Sequence, residues 1–198
     1  MSLILGLTGS IGMGKSTASG FFREAGVPVW DADAAVHDLY APGGAAVAPL
    51  SALHPEALKD DAIDRSTLRN WIASDPDALR QIESIVHPLV ARSRADFLQQ
   101  HAGDPLVVLD IPLLFEGGGA ALCDATLVVS APPEVQRARV LARPGMTEAH
   151  FATILAKQMP DAQKRALADQ VIETLTLDQT RAEIRALIAL LTGKPLDA

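Results

Sequence analysis

Short apolar runs alternate along the chain with longer stretches in which apolar residues recur every three or four positions. The runs fall at 3–7, 27–30, 106–110, 125–130 and 170–174 and are rich in Val, Leu and Ile. They are too short for helices and read as strands. Strands alternating with amphipathic helices predict an α/β fold built on a parallel sheet. The first helix follows Lys15, with Ala18, Phe21, Phe22 and Ala25 on one face, and Gly26 stops it at the C′ position. The last starts near Asp178, a candidate N-cap, and turns Ile184, Leu187, Ile188 and Leu191 inward.

About seventy residues separate the second strand from the third, with hardly a strand signal among them. That is too long for a simple crossover. Pro42-Gly43-Gly44-Ala45-Ala46 reads as a turn between helices. Asp75-Pro76 predicts a helix start with Pro76 at its first position, and the periodicity runs to about Gln100. His87-Pro88 should kink or break that helix. A helical insertion above a parallel sheet suits a substrate-binding subdomain.

Composition narrows the function. The 198 residues suit one domain, and 48% apolar content with 21% charge excludes disorder. A net charge of −7 argues against general affinity for nucleic acid or anionic membrane. An anionic ligand must therefore be held by local groups. The single Cys123 excludes an internal disulfide. The apolar start at Leu3–Leu7 is shorter than a signal-peptide core, and no run approaches about 20 apolar residues, so a soluble, cytoplasmic protein is expected.

The chemistry is carried first by Gly9-Ser10-Ile11-Gly12-Met13-Gly14-Lys15-Ser16, which fits G-x-x-x-x-G-K-[ST] between an apolar strand and a helix. Glycines there let backbone N–H groups converge on phosphate oxygens at a helix N-terminus. Lys15 would bridge the β- and γ-phosphates, and Ser16 would ligate Mg²⁺. Leu106–Asp110 is an apolar strand ending in a carboxylate. Asp110 either aids the metal through a bound water or caps the turn before Pro112. Asp31 and Asp33 follow the apolar run of the second strand. Asp33 is expected at that strand's C-terminal end, on the phosphate-loop edge of the sheet, with strand alternation turning the two carboxylates the same way. They can take a proton from an attacking hydroxyl or cap a helix. Arg139 and Arg143, four apart after Pro132-Pro133, read as phosphate-binding forks on one helix face or as a solvated basic face. The five histidines show no metal-ligand spacing, and no G-x-S-x-G marks a nucleophilic serine.

Together these residues resemble the dephospho-CoA kinase family over nearly the whole chain. The matching segments are GLTGSIGMGKST at 6–17, VPVWDAD at 27–33, IDRSTLR at 63–69, SDPDALRQIESIVHPLV at 74–90, DIPLLFE at 110–116, QRARVLAR at 136–143 and QMPDAQKRALADQVI at 158–172. The resemblance implies a P-loop three-layer sandwich with a five-stranded parallel sheet in the order 2-3-1-4-5. It divides the chain into a core at 1–33, 104–136 and 161–198, a helical CoA-binding region at 34–103 and a lid at 137–160. It implies ATP-dependent phosphorylation of the ribose 3′-hydroxyl of dephospho-CoA by a monomer that uses Mg²⁺. ATP would bind at Gly12, Met13, Gly14, Lys15, Ser16 and Thr17. Asp33 would be the general base, with Lys15, Arg139 and Arg143 stabilising the transferred group. Asp33 and His87 would meet the substrate.

Two positions depart from the family pattern. Ser10 stands where Gly is usual. After the last strand the pattern V-I-x-N-x-G is replaced by Val171-Ile172-Glu173-Thr174-Leu175-Thr176, which puts adenine recognition at Thr174 in question. A different nucleotide kinase would share the phosphate loop but not the DAD, IVHPLV and DIPLLFE series. A GTPase switch would need N-K-x-D, which the sequence lacks.

Overall fold

The computed structural model describes residues 2–193. Five strands form the main sheet: β1 (Leu3–Thr8), β2 (Val29–Asp31), β5 (Leu106–Asp110), β6 (Ala125–Ser130) and β7 (Gln170–Glu173). Their order is β2-β5-β1-β6-β7. Counted without the two short strands of a separate hairpin, this is the expected 2-3-1-4-5 arrangement. β1 lies parallel to both neighbours, with Leu3 opposite Leu106, Leu7 opposite Asp110 and Thr8 opposite Val128. β7 continues in parallel, Ser130 opposite Glu173. β5 is buried at every position, which is why it reads as an unbroken apolar run.

The described residues fold as two compact units, 2–30 with 101–193, and 31–100. In the first, Leu5, Leu7, Val108, Leu127 and Val129 of the sheet pack with Phe21 and Phe22 of α1 (Lys15–Glu24) and Ile184, Leu187 and Ile188 of α9 (Leu177–Thr192). Gly26, at φ 77°, follows the end of α1 as expected. The start of α9 differs from expectation. Thr176 is the cap, its hydroxyl accepting from Gln179 N–H at 3.2 Å, and Asp178 lies inside the first turn. There its charge still complements the helix dipole.

The 31–100 unit holds α2 (Ala32–Tyr40), α3 (Val47–Leu53), α4 (Arg65–Ser74) and α5 (Ala78–Gln100). Leu50, Ile63, Leu68, Ile82 and Val86 form its core. A two-stranded hairpin, β3 (Leu58–Lys59) and β4 (Ala62–Ile63), interrupts the helices. Its turn places Asp60 and Asp61 at φ 50° and 60°. Pro76 is not the first residue of α5, which begins two residues later, after Asp75 Oδ1 has accepted from Asp77 N–H at 2.8 Å. Nor does Pro88 break the helix, which runs through it to Gln100. One lost backbone hydrogen bond is outweighed by Ile82, Ile85, Val86, Leu89 and Val90, which pack into the unit's core on both sides of the proline. Among the described residues no helix is long and apolar enough to cross a membrane.

Candidate active site

The loop between β1 and α1 turns back on itself, Met13 N–H donating to Ser10 O at 3.1 Å. It ends at Gly14, whose φ of 86° lies in the left-handed region. No side chain caps α1, and its first turn carries no acidic residue. The N–H groups at that helix end are therefore available to an anion, with the helix dipole behind them. Ser16 and Thr17 are exposed there, while Met13 is buried and its Sδ accepts from Ala131 N–H at 3.0 Å.

The two central glycines serve packing as well as ligand access. A Cβ at Gly12, itself at φ 78°, would lie 2.5 Å from Val140 Cγ2. One at Gly14 would lie 2.8 Å from Thr174 Oγ1. On these sides the room left by glycine is filled by protein. It admits α6 (Pro133–Leu141) and the segment after β7 against the loop.

Lys15 Nζ lies 2.5 Å from Asp110 Oδ1 at the end of β5. Asp110 is 1% exposed, so its charge needs a partner of this kind. The oxygens of Ser16 and Asp110 also suit a hard divalent cation, which takes hydroxyl and carboxylate ligands together with water.

Arg139, on α6, donates through Nη1 to Thr174 Oγ1 at 2.9 Å and through Nη2 to Thr174 O. The Thr174 hydroxyl in turn donates to Met13 O at 2.9 Å. This threonine is 4% exposed, and its hydroxyl is engaged within the protein rather than presented to a base. Arg143 does not share a helix face with Arg139. α6 ends at Leu141, and Arg143 is exposed beyond it, its N–H donating to Val140 O at 3.1 Å. Arg137 pairs with Glu148 on α7 (Glu148–Leu155).

Asp31 is the last residue of β2 and the N-cap of α2. Its Oδ1 accepts from Asp33 N–H at 2.9 Å and Ala34 N–H at 3.0 Å. Asp33 is not at the strand end, as expected from sequence, but is the second residue of α2, where strand alternation no longer relates it to Asp31. Its carboxylate is exposed and has no capping duty. His87 is exposed on α5. Both belong to the 31–100 unit.

A further set of polar contacts was not legible in the sequence. Ile11, in the loop, accepts from Gln136 Nε2 at 2.8 Å, and its N–H donates to Gln158 Oε1 at 3.1 Å. Beside Gln158, Met159 N–H donates to Glu116 Oε1 at 2.9 Å. The same oxygen lies 2.9 Å from Nζ of Lys164, a fully buried ammonium on α8 (Asp161–Leu167). Burial works to raise the Glu116 pKa. The Lys164 ammonium and the Met159 N–H outweigh it and hold the carboxyl below its ordinary value. These residues all lie in segments the family resemblance covers, but nothing in their spacing brings them together.

Comparison with known proteins gives one consistent result. A family model described as dephospho-CoA kinase matches residues 3–178. A dephospho-CoA kinase from Cereibacter sphaeroides is 63% identical over 185 residues, covering 93% of each chain. One from Jannaschia sp. is 62% identical over 192 residues, covering 97% of this chain and 98% of its own. A crystal structure of a Thermus thermophilus protein superposes with a TM-score of 0.83 at 37% identity, covering 97% of both chains.

Proposed function

The chain belongs to the dephospho-CoA kinase family, and on that premise we propose that it transfers the γ-phosphoryl group of ATP to the ribose 3′-hydroxyl of dephospho-CoA. The products are coenzyme A and ADP, in the last step of coenzyme A synthesis. The uncapped start of α1 behind a glycine loop, with Lys15 beside it, supports phosphoryl transfer from a nucleotide, and the family match over residues 3–178 is the observation that carries the acceptor.

In the reaction the 3′-oxygen forms a bond to the γ-phosphorus as the bond from that phosphorus to the β-phosphate bridging oxygen breaks. ADP leaves, and the hydroxyl proton passes to the Asp33 carboxylate. Backbone N–H groups between Gly12 and Thr17 hold the phosphates, and Met13 has only main chain to offer, its side chain being buried and its N–H bonded to Ser10 O in this structure. Lys15, paired with Asp110 in this structure, is the group assigned to the β- and γ-oxygens. Charge on the transferred group spreads over its equatorial oxygens, so fixed cations lower the barrier directly. Lys15, Arg139 and Arg143 are assigned that task. Ser16 and, through water, Asp110 are the groups that would hold Mg²⁺, whose charge would offset that of the phosphates.

In this reading the 34–103 region, with His87, takes the substrate's CoA arm, and residues 137–160 act as a lid. The enzyme works in the cytoplasm, as a monomer, on a small molecule. The test is ATP-dependent transfer to dephospho-CoA, with the product's phosphate located by phosphorus NMR. A 3′-phosphate is expected. Faster phosphorylation of adenosine or uridine monophosphate under the same conditions would overturn the assignment.

A further inference from the structure

A phosphate loop works only if its peptide groups face the ligand before the ligand arrives, and something must hold them there. In this chain both polar groups of one loop residue are claimed by side chains from distant elements. Gln136 Nε2 donates to Ile11 O, and Gln158 Oε1 accepts from Ile11 N–H. A glutamine amide carries a donor on one end and an acceptor on the other, and here Gln136 turns its donor to the Ile11 carbonyl while Gln158 turns its acceptor to the Ile11 N–H.

We propose that Gln136 and Gln158 are positioning residues of the phosphate loop, which hold the two peptide groups flanking Ile11 from both ends of the 137–157 segment. Gln136 is 6% exposed on α6, one turn before Arg139 and Val140. Val140 reaches the loop at Gly12, so α6 meets the loop through a polar and an apolar contact side by side. Gln158 follows α7 and precedes α8. It is steadied by its neighbour Met159, whose N–H is fixed on Glu116, and Glu116 is paired in turn with the buried Lys164. The arginines assigned to the transferred phosphoryl group lie between these two anchors, at or just beyond the C-terminal end of α6.

The grip has two consequences. With the Ser10–Ile11 peptide held through its N–H and the Ile11–Gly12 peptide through its C=O, rotation of both is resisted, and the N–H groups that follow in the loop keep their direction. Pre-orienting donors in this way avoids a cost at the moment of binding. The loop is also tied to both ends of the segment carrying Arg139 and Arg143, so phosphate binding and placement of the arginines are coupled.

The proposal rests on the phosphate-transfer reading only in naming the nucleotide, and its test needs no acceptor. ADP affinity is measured by calorimetry for wild type, Gln136→Ala, Gln158→Ala, Gln136→Glu and Gln158→Glu, with the fold checked by thermal unfolding. Losing one such hydrogen bond should weaken ADP binding about 3- to 10-fold in each alanine variant. The two glutamate variants separate positioning from packing, because they share size and charge. Gln158→Glu keeps the acceptor facing Ile11 N–H. Gln136→Glu replaces a donor with a second acceptor facing Ile11 O. Gln158→Glu should therefore bind ADP several-fold more tightly than Gln136→Glu. In turnover assays with dephospho-CoA, KM for ATP should rise in the alanine variants and KM for the acceptor should stay within about twofold. Equal affinities in the two glutamate variants, or ADP affinities in the alanine variants within twofold of wild type, would overturn the proposal. If an alanine variant fails to fold, the glutamate pair still decides. Failure of the wild type to use dephospho-CoA would count against the proposed function and leave the ADP comparison standing.

Discussion

One hydroxyl joins Arg139 to the phosphate loop: Thr174 accepts from Arg139 Nη1 and donates to Met13 O, each at 2.9 Å. Thr174→Val keeps the shape and removes both bonds, leaving a buried carbonyl unpaired. It should cost roughly 1–3 kcal/mol of stability, read by denaturant unfolding. Because the hydroxyl is engaged internally, preference for ATP over GTP should be unchanged in Thr174→Val and in Thr174→Asn. A shift in that preference would assign the residue to base recognition.

Lys15 pairs with Asp110, and in the proposed mechanism it serves the phosphates as well. Lys15→Ala should lower kcat by about 10²–10³, the usual loss for one electrostatic contact to a developing charge. It should also leave the Asp110 carboxylate buried without its ammonium, at a cost of up to about 3 kcal/mol. Adding Asp110→Asn should recover much of that stability and none of the activity. A Lys15→Ala variant as stable as wild type would mean that the pair contributes nothing to the fold.

Glu116 gives the chain an acid-sensitive contact. Its pKa is lowered in the folded protein, because the Lys164 ammonium and Met159 N–H outweigh burial. The folded state thus binds the proton less readily than the unfolded state. The stabilisation is complete above the unfolded value near 4.5 and is lost as pH falls through the lower folded value. The stability gap between wild type and Glu116→Gln should be constant from pH 6 to about pH 5 and narrow on further acidification. A gap independent of pH down to 3 would show that the carboxylate's charge is not what holds Lys164.

The central strands could be read from sequence because they are largely buried, and Leu106–Asp110, buried at every position, needs no partner to announce itself. The phosphate loop was equally legible, since its chemistry is local. The β3–β4 hairpin was not, because two-residue strands have no period and its turn uses Asp60 and Asp61 where glycine would have signalled it. Pro88 misled for the opposite reason: a local rule was overridden by packing along α5. Arg143 was misplaced because α6 stops at Leu141, a boundary that no glycine marks. The grip on Ile11 was out of reach, since Gln158 lies 147 positions from its partner.

The residue pattern left both Asp31 and Asp33 open to capping or proton transfer, the family resemblance alone singling out Asp33, and the structure separates them. Asp31 caps α2 by accepting from two N–H groups, while Asp33 stands exposed in the first turn with its carboxylate uncommitted. Asparagine caps a helix about as well as aspartate, so Asp31→Asn should change little. Asp31→Ala should cost about 1 kcal/mol of stability, with kcat affected far less than by a change at Asp33. Asp33→Asn keeps the shape but cannot take a proton. If Asp33 is the base, kcat should fall by about 10²–10⁴ while ATP affinity stays within about twofold. The pH profile sharpens the test, because removing the base should flatten the acid limb of kcat. Equal kcat losses in Asp31→Asn and Asp33→Asn would show that the DAD carboxylates act together, as a charge pair or metal ligands. A fall in ATP affinity matching the fall in kcat would place Asp33 on the nucleotide rather than on the acceptor hydroxyl.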